Sequence, residues 1–142
     1  MKEKRILVTG ASGMVGNYVS QVFGDWHPIL TDIEHAPYGL DIRDRNAVRQ
    51  AVGDFKPEFV LHLGAATDVD RCEEEPEWAY KTNAFGTENV AKACMEFDAT
   101  VVYVSTAAVF SGDKNEPYTE DDEAKPTNLY GHSKLAGEHY VS

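Results

Sequence analysis

Apolar residues in this chain come in short, nearly continuous runs separated by stretches in which they recur at helical spacing. Short runs bounded by turn residues read as strands of a buried parallel sheet. They place strand one at Arg5 to Thr9, strand two at Pro28 to Thr31, strand three at Tyr38 to Ile42, strand four at Glu58 to Leu63 and strand five at Thr100 to Val104. Between them the period changes to 3.6. Val15, Tyr18, Val19, Val22 and Phe23 share one face of a helix that Gly24 ends, and Ala47, Val48, Ala51, Val52 and Phe55 form the stripe of a second. Asp44 caps that second helix and Lys56-Pro57 stops it. Pro76, preceded by Cys72-Glu73-Glu74-Glu75, starts a third helix that runs to about Phe97. Its Trp78, Tyr80, Phe85, Val90, Ala93, Cys94 and Phe97 cover more surface than one sheet face needs, so an oligomer contact and a cover from elsewhere in the chain are equal readings. A loop from Ser111 to Asn128, either a lid or solvated surface, leads to a last helix. Strand and helix alternate without linker or repeat. The pattern predicts one α/β domain over residues 1–142 with a parallel sheet, and the glycine turn and strand-end acid described below make the expectation a Rossmann-like doubly wound sheet in three α/β/α layers with strand order 3-2-1-4-5.

Charge narrows the partners. Twenty-four acids against thirteen bases give a net charge of −11, which repels nucleic acid and anionic membrane and argues for no partner of either kind. No apolar run approaches the roughly 20 residues of a membrane span, and Met1-Lys2-Glu3-Lys4-Arg5 leads into a strand rather than a signal-peptide core. A cytoplasmic protein is expected. Cys72 and Cys94 form no C-x-x-C pair, disulfide framework or metal-ligand pattern.

The candidate chemistry starts at Thr9-Gly10-Ala11-Ser12-Gly13-Met14-Val15-Gly16, directly after strand one. A strand that ends in glycines and turns into a helix directs N–H groups at whatever lies beyond it, which favours a phosphate. Gly10 permits the tight turn, Gly13 lets the backbone approach a pyrophosphate, and Gly16 lets the new helix pack close to the sheet. Asp32 follows strand two, 22 residues after Gly10 (32 − 10), where a dinucleotide fold places the acid that binds the adenosine ribose. A carboxylate there repels a 2′-phosphate, and no arginine stands in Ile33-Glu34-His35-Ala36, so NAD is expected in preference to NADP. Further cofactor contacts are expected from Asp41 and Ile42 at the end of strand three and from Leu63, Gly64, Ala65 and Ala66 at the end of strand four. His62, inside that strand, reads as a satisfied packing residue and stays out of the chemistry.

Tyr130 and Lys134 lie four apart on the last helix, one turn above each other, so phenol and ammonium address one small volume. A cation beside a phenol favours its ionised form, as a general acid/base requires. Ser105 and Thr106 stand at the C-terminal end of strand five, where open α/β sheets bind ligands.

These motifs, with Ala65 through Glu73, Asn83 with Gly86-Thr87, Val104-Ser105-Thr106, Glu116-Pro117-Tyr118, Glu120-Asp121-Asp122 and Tyr130 through Glu138, resemble the extended short-chain dehydrogenase/reductase superfamily. The resemblance covers nearly the whole chain and is nearest to the dTDP-4-dehydrorhamnose reductase (RmlD-like) branch. It implies hydride transfer between a nicotinamide and a 4-keto nucleotide sugar. Tyr130 would protonate the carbonyl oxygen, Lys134 would hold the nicotinamide ribose and poise Tyr130, Thr106 would hydrogen-bond the reacting oxygen, and Asn83 would support the cofactor side. Ala107-Ala108 depart from the aspartate and aromatic of the reductase branch and are closer to the small residues of epimerases and dehydratases. Extended members run to about twice this length, consistent with a second, substrate-binding domain absent from this chain. A non-catalytic NAD-binding subunit or truncated module is the reading of a different class.

Overall fold

All four residues of β1 (Ile6–Thr9) are buried, and their alternation divides the interior of the computed structural model, which describes residues 4–142, into two cores. Of the lead-in Met1 to Arg5, residues 1–3 lie outside the described residues. Leu7 packs with Val48, Val52, Val60 and Val90 under helices α2 (Arg45–Phe55) and α5 (Thr87–Glu96). Ile6 and Val8 pack on the other side with Ala11 and Val19, against Phe23, Trp26 and Phe59. β1 runs parallel to β2 (Ile29–Asp32), with Leu7 opposite Ile29, and parallel to β4 (Phe59–His62), with Leu7 opposite Val60. β3 (Tyr38–Gly39) and β5 (Thr100–Tyr103) complete the order β3-β2-β1-β4-β5. This is the expected doubly wound sheet. Its order reverses between β1 and β4, where ligands of such sheets bind.

Local chemistry explains the helix ends. Asp44 accepts from the backbone N–H of Asn46 at 2.9 Å and of Ala47 at 3.1 Å, and Lys56 turns α2 off in a left-handed conformation with φ 48°. Asp68 caps α3 (Val69–Glu74), an element absent from the periodicity reading, by accepting from Arg71 N at 3.0 Å.

Three expectations need correction. The segment after the glycines is a 3₁₀ turn (Gly16–Tyr18) and a single α turn, α1 (Val19–Val22), so the 3.6 register is lost. Of that face Val19 is buried and Phe23 packs on the same core, joined by Trp26, whereas Tyr18 and Val22 are 61% and 71% exposed. The helix from Pro76 is interrupted. α4 (Pro76–Tyr80) widens into a π turn (Lys81–Gly86) before α5, so Ala79 faces Ala66, Cys72 and Tyr130 whereas Val90 and Ala93 face the sheet. The broad apolar surface thus serves two neighbours, with Phe85 left exposed. β5 is not buried on both faces: Val102 is 45% exposed, because β5 is the last strand of the sheet and one face lacks a helix.

Candidate active site

At the switch point the strand ends frame a cleft of about 470 Å³. One side is the glycine turn. Gly10 has φ +70°, and a Cβ on it would stand 2.6 Å from Gly64 N, so β1 and β4 can approach only with glycine there. A Cβ on Gly16 would lie 2.5 Å from the carbonyl oxygens of Gly10 and Ala11, so Gly16 closes the turn on itself rather than on the sheet. At Gly13 only Gly10 O comes near, at 3.2 Å, and its outer side faces the cleft with Met14, Val15 and Gly16. The Asp32 carboxylate, also in the wall, is held open by the backbone N–H of Ser12 at 2.9 Å and of Ile33 at 2.7 Å. Ser12 itself stays outside the walls, its hydroxyl on Glu34 O at 2.9 Å.

Leu63, Gly64 and Ala65 form the floor and Ile42 the side beyond β2. Asp41 is turned away: it pairs with Arg43 at 2.7 Å, and the hydrogen bond from that guanidinium holds its carboxyl below the usual range. Ala66 and Asn83 lie just behind the floor. Asn83 Oδ1 accepts from Ala66 N at 2.7 Å while its Nδ2 donates to Ala66 O and to Ser133 Oγ, both at 2.9 Å. One buried amide therefore ties the floor to the last helix, α6 (Leu129–Val141). Asn83, expected among the cofactor contacts, thus stands behind the cleft and does not line it.

Asn128 caps α6 by accepting from Gly131 N at 2.7 Å, and the helix brings both Tyr130 and Lys134 into the wall opposite the glycines. Lys134 is 3% exposed, and its Nζ donates to Val104 O at 2.7 Å above the Tyr103 ring. Burial pulls its pKa down to about 8, with the Glu138 charge opposing. Glu138 in turn accepts a short hydrogen bond from Ser105 Oγ, and Ser105 rather than Thr106 lines the cleft. Thr106 Oγ1 accepts from Ala108 N at 3.1 Å, capping the turn after β5. The sequence reading missed Ile33, Leu40, Thr67, Thr82 and Val104 in the walls; Ile33, Leu40 and Val104 stand one residue past β2, β3 and β5, Thr67 lies in the Ala65–Glu73 segment, and Thr82 is next to Asn83.

His62 behaves as a structural residue. It is buried between Thr9 and Thr87, and burial, with the Lys134 charge, pushes its pKa down to about 3, so it stays neutral. Cys72 and Cys94 are buried free thiols; burial raises the first and pushes the second up to about 11, which makes them poor nucleophiles.

A parallel sheet of this order, a glycine turn at its switch point and a carboxylate at the end of β2 define a Rossmann-like domain built for a dinucleotide. The chain belongs to the family described as RmlD substrate binding domain, which matches residues 4–142. Over 140 residues it is 42% identical to a dTDP-4-dehydrorhamnose reductase of Mycolicibacterium smegmatis, covering 97% of this chain and 41% of that one. It is 38% identical to methionine adenosyltransferase 2 subunit beta of Xenopus tropicalis, over 97% of this chain and 42% of the relative. The structure of dTDP-4-dehydrorhamnose reductase from Bacillus anthracis in complex with NADP superposes with a TM-score of 0.92 at 36% identity, covering 99% of this chain and 50% of that one. The chain therefore spans half or less of the length of these relatives. No helix among the described residues is long and apolar enough to cross a membrane.

Proposed function

We propose that this chain is the dinucleotide-binding domain of an NAD(P)-dependent reductase acting on a 4-keto nucleotide sugar, a cytoplasmic protein whose sugar-binding domain is a further part of the polypeptide. The observation that carries the reading is one cleft whose opposite walls hold Gly10, Gly13 and Asp32 on one side and Tyr130 and Lys134 on the other. The walls fit the cofactor: a Cβ would close the turn at Gly10 and Gly16, and Asp32 presents an oriented carboxylate at the adenosine end. When bound, reduced nicotinamide supplies the hydride. The chain's own part is the proton. Tyr130 Oη–H gives its proton to the carbonyl oxygen as that oxygen gains charge, and Lys134, one turn along α6 in the same wall, would hold the nicotinamide ribose. Thr106 Oγ1, which accepts from Ala108 N, would use its own O–H to donate to the same oxygen. Asp32 and the absence of arginine in 33–36 support NAD over NADP.

Two other readings keep an observation each. Ala107-Ala108 after Thr106 favour epimerase or dehydratase chemistry on the same scaffold. The similarity to methionine adenosyltransferase 2 subunit beta favours a nucleotide-binding subunit without turnover. Tyr130→Phe in the full-length polypeptide separates them. For the reductase, turnover of NADH or NADPH with dTDP-4-dehydrorhamnose falls by about 10² to 10⁴ while cofactor affinity holds, because only a proton donor is removed. Unchanged turnover would make Tyr130 a packing residue of the Ala66–Cys72–Ala79 cluster.

A further inference from the structure

Lys134 Nζ donates to Val104 O at 2.7 Å and lies over the Tyr103 ring, 4.2 Å from its centre. The residue after that carbonyl, Ser105, donates its hydroxyl proton to a carboxylate oxygen of Glu138. Glu138 stands four residues after Lys134, so both side chains leave the same face of α6. Two consecutive residues at the end of β5 are thus fastened to two positions one turn apart on α6. We propose that Glu138 is a positioning residue for Lys134: through Ser105 it holds the Val104 carbonyl against the ammonium, and its charge acts on that ammonium across the same turn. The bearing of this on a reaction rests on the reading of Lys134 as part of a reductase site, whereas the fastening itself does not.

The end of β5 has little else to hold it. β5 is the last strand of the sheet, and just past it the bond from Val104 N to His62 O is long at 3.3 Å. Lys134 is 3% exposed, so water does little for its charge, and a carbonyl oxygen and a ring face are what the fold offers instead. Burial lowers its pKa, and the Glu138 charge is the influence that opposes. The other titratable groups around Lys134 differ in kind. Burial raises the Tyr103 phenol of β5, which donates to Lys134 O at 3.2 Å, and burial keeps His62 of β4 neutral. Tyr130 shares the wall, and Glu73 of α3 is engaged by Leu129 N at 2.6 Å, at the start of α6. The π turn and α5 meet this region through Asn83 and Thr87, which do not titrate. Glu138 is the carboxylate one turn from the ammonium, and Ser105, which it holds, lines the cleft.

Nuclear magnetic resonance of the 142-residue chain grown with ¹³C-labelled lysine reads both effects at Lys134, whose signal is identified by its loss in Lys134→Met. The titration midpoint of the ammonium reports charge. The displacement of its Hε protons by the Tyr103 ring reports position. Glu138→Gln keeps the shape and removes the charge, and should lower the Lys134 midpoint by about one pH unit, the worth of a carboxylate a helical turn away, with the other lysines unmoved. Ser105→Ala keeps the carboxylate and unfastens it, and should return the Hε signals toward those of an exposed lysine. A wild-type midpoint in Glu138→Gln would overturn the proposal, and so would unmoved Hε signals in Ser105→Ala. A Gln variant that loses the folded amide spectrum would also overturn it, by making Glu138 a residue of the fold at large. In the full-length polypeptide, a Glu138→Gln variant with the lowered midpoint should lose NADH-dependent turnover of dTDP-4-dehydrorhamnose at a correspondingly lower pH. Turnover with the wild-type pH dependence would leave the positioning role standing and refute Lys134 as part of a reductase site, so the two readings fail separately.

Discussion

A lysine with its ammonium on a single carbonyl oxygen and almost no water keeps its charge at a cost, and Lys134 is such a lysine. Its pKa of about 8 lies 2.5 below the ordinary 10.5 (10.5 − 8). At 1.36 kcal/mol per unit, the protonated form costs the folded chain about 3 kcal/mol. The direction with pH follows from counting protons. Between pH 8 and 10.5 the unfolded lysine still holds a proton that the folded one has released, so stability rises with pH across this window and the penalty is present in full below it. Lys134→Met removes the titration and keeps most of the apolar stem. Urea unfolding of both proteins should therefore give a wild-type-minus-variant difference that shifts by about 3 kcal/mol in favour of wild type between pH 7 and 10.5. Titrations common to both proteins cancel in that difference. A difference constant over the window would refute the reasoning and mean that the ammonium is solvated well enough to keep its ordinary pKa. In that case the role proposed for Lys134 beside Tyr130 would lose the support of its burial.

Two further outcomes follow from the same walls. Asp32 should make NAD bind at least about tenfold more tightly than NADP, as expected of a carboxylate facing a 2′-phosphate, and Asp32→Ala should narrow the gap; equal or tighter NADP binding to wild type in calorimetry would remove Asp32 from the ribose site. The 142-residue chain should self-associate through β5, where Val102 and Val104 are exposed beside a strand edge that no described strand pairs, and Val102→Lys should return it to monomer in light scattering. A monomeric wild type at high concentration would count against that surface.

The strand order and the two ends of the cleft could be read from sequence because each depends on local chemistry. A left-handed Gly10, an acid at the end of β2 and a phenol four residues from a lysine leave marks independent of the rest of the chain. Helical faces proved less legible. Apolar spacing assumes one period, and both departures are changes of period: the 3₁₀ turn at Gly16–Tyr18 and the π turn at Lys81–Gly86. The second has a tertiary context, since Asn83 inside it bridges Ala66 and Ser133, residues distant in sequence.

His62 shows why a residue correctly set aside from the chemistry can still shape the site. Thr87 Oγ1 donates to Asn83 O at 2.7 Å, so it must accept from His62 Nε2, 3.0 Å away. That assigns the ring proton to Nε2 and leaves Nδ1 as an acceptor for Thr9 Oγ1 at 2.6 Å. Thr9 Oγ1 in turn accepts from Gly64 N at 3.1 Å. The bonds therefore run in one direction, from the N–H of the cleft floor through Thr9, His62 and Thr87 to the carbonyl of Asn83. A second proton on His62 would turn its only acceptor into a donor and break the run at Thr9, in agreement with the depression of its pKa to about 3. Gly64, against which Gly10 is packed too closely for any Cβ, is thus linked through this run to Asn83 in the π turn. The floor under the glycine turn and the π turn that holds Asn83 are joined by one directed run of hydrogen bonds between residues far apart in sequence, which local sequence patterns do not encode.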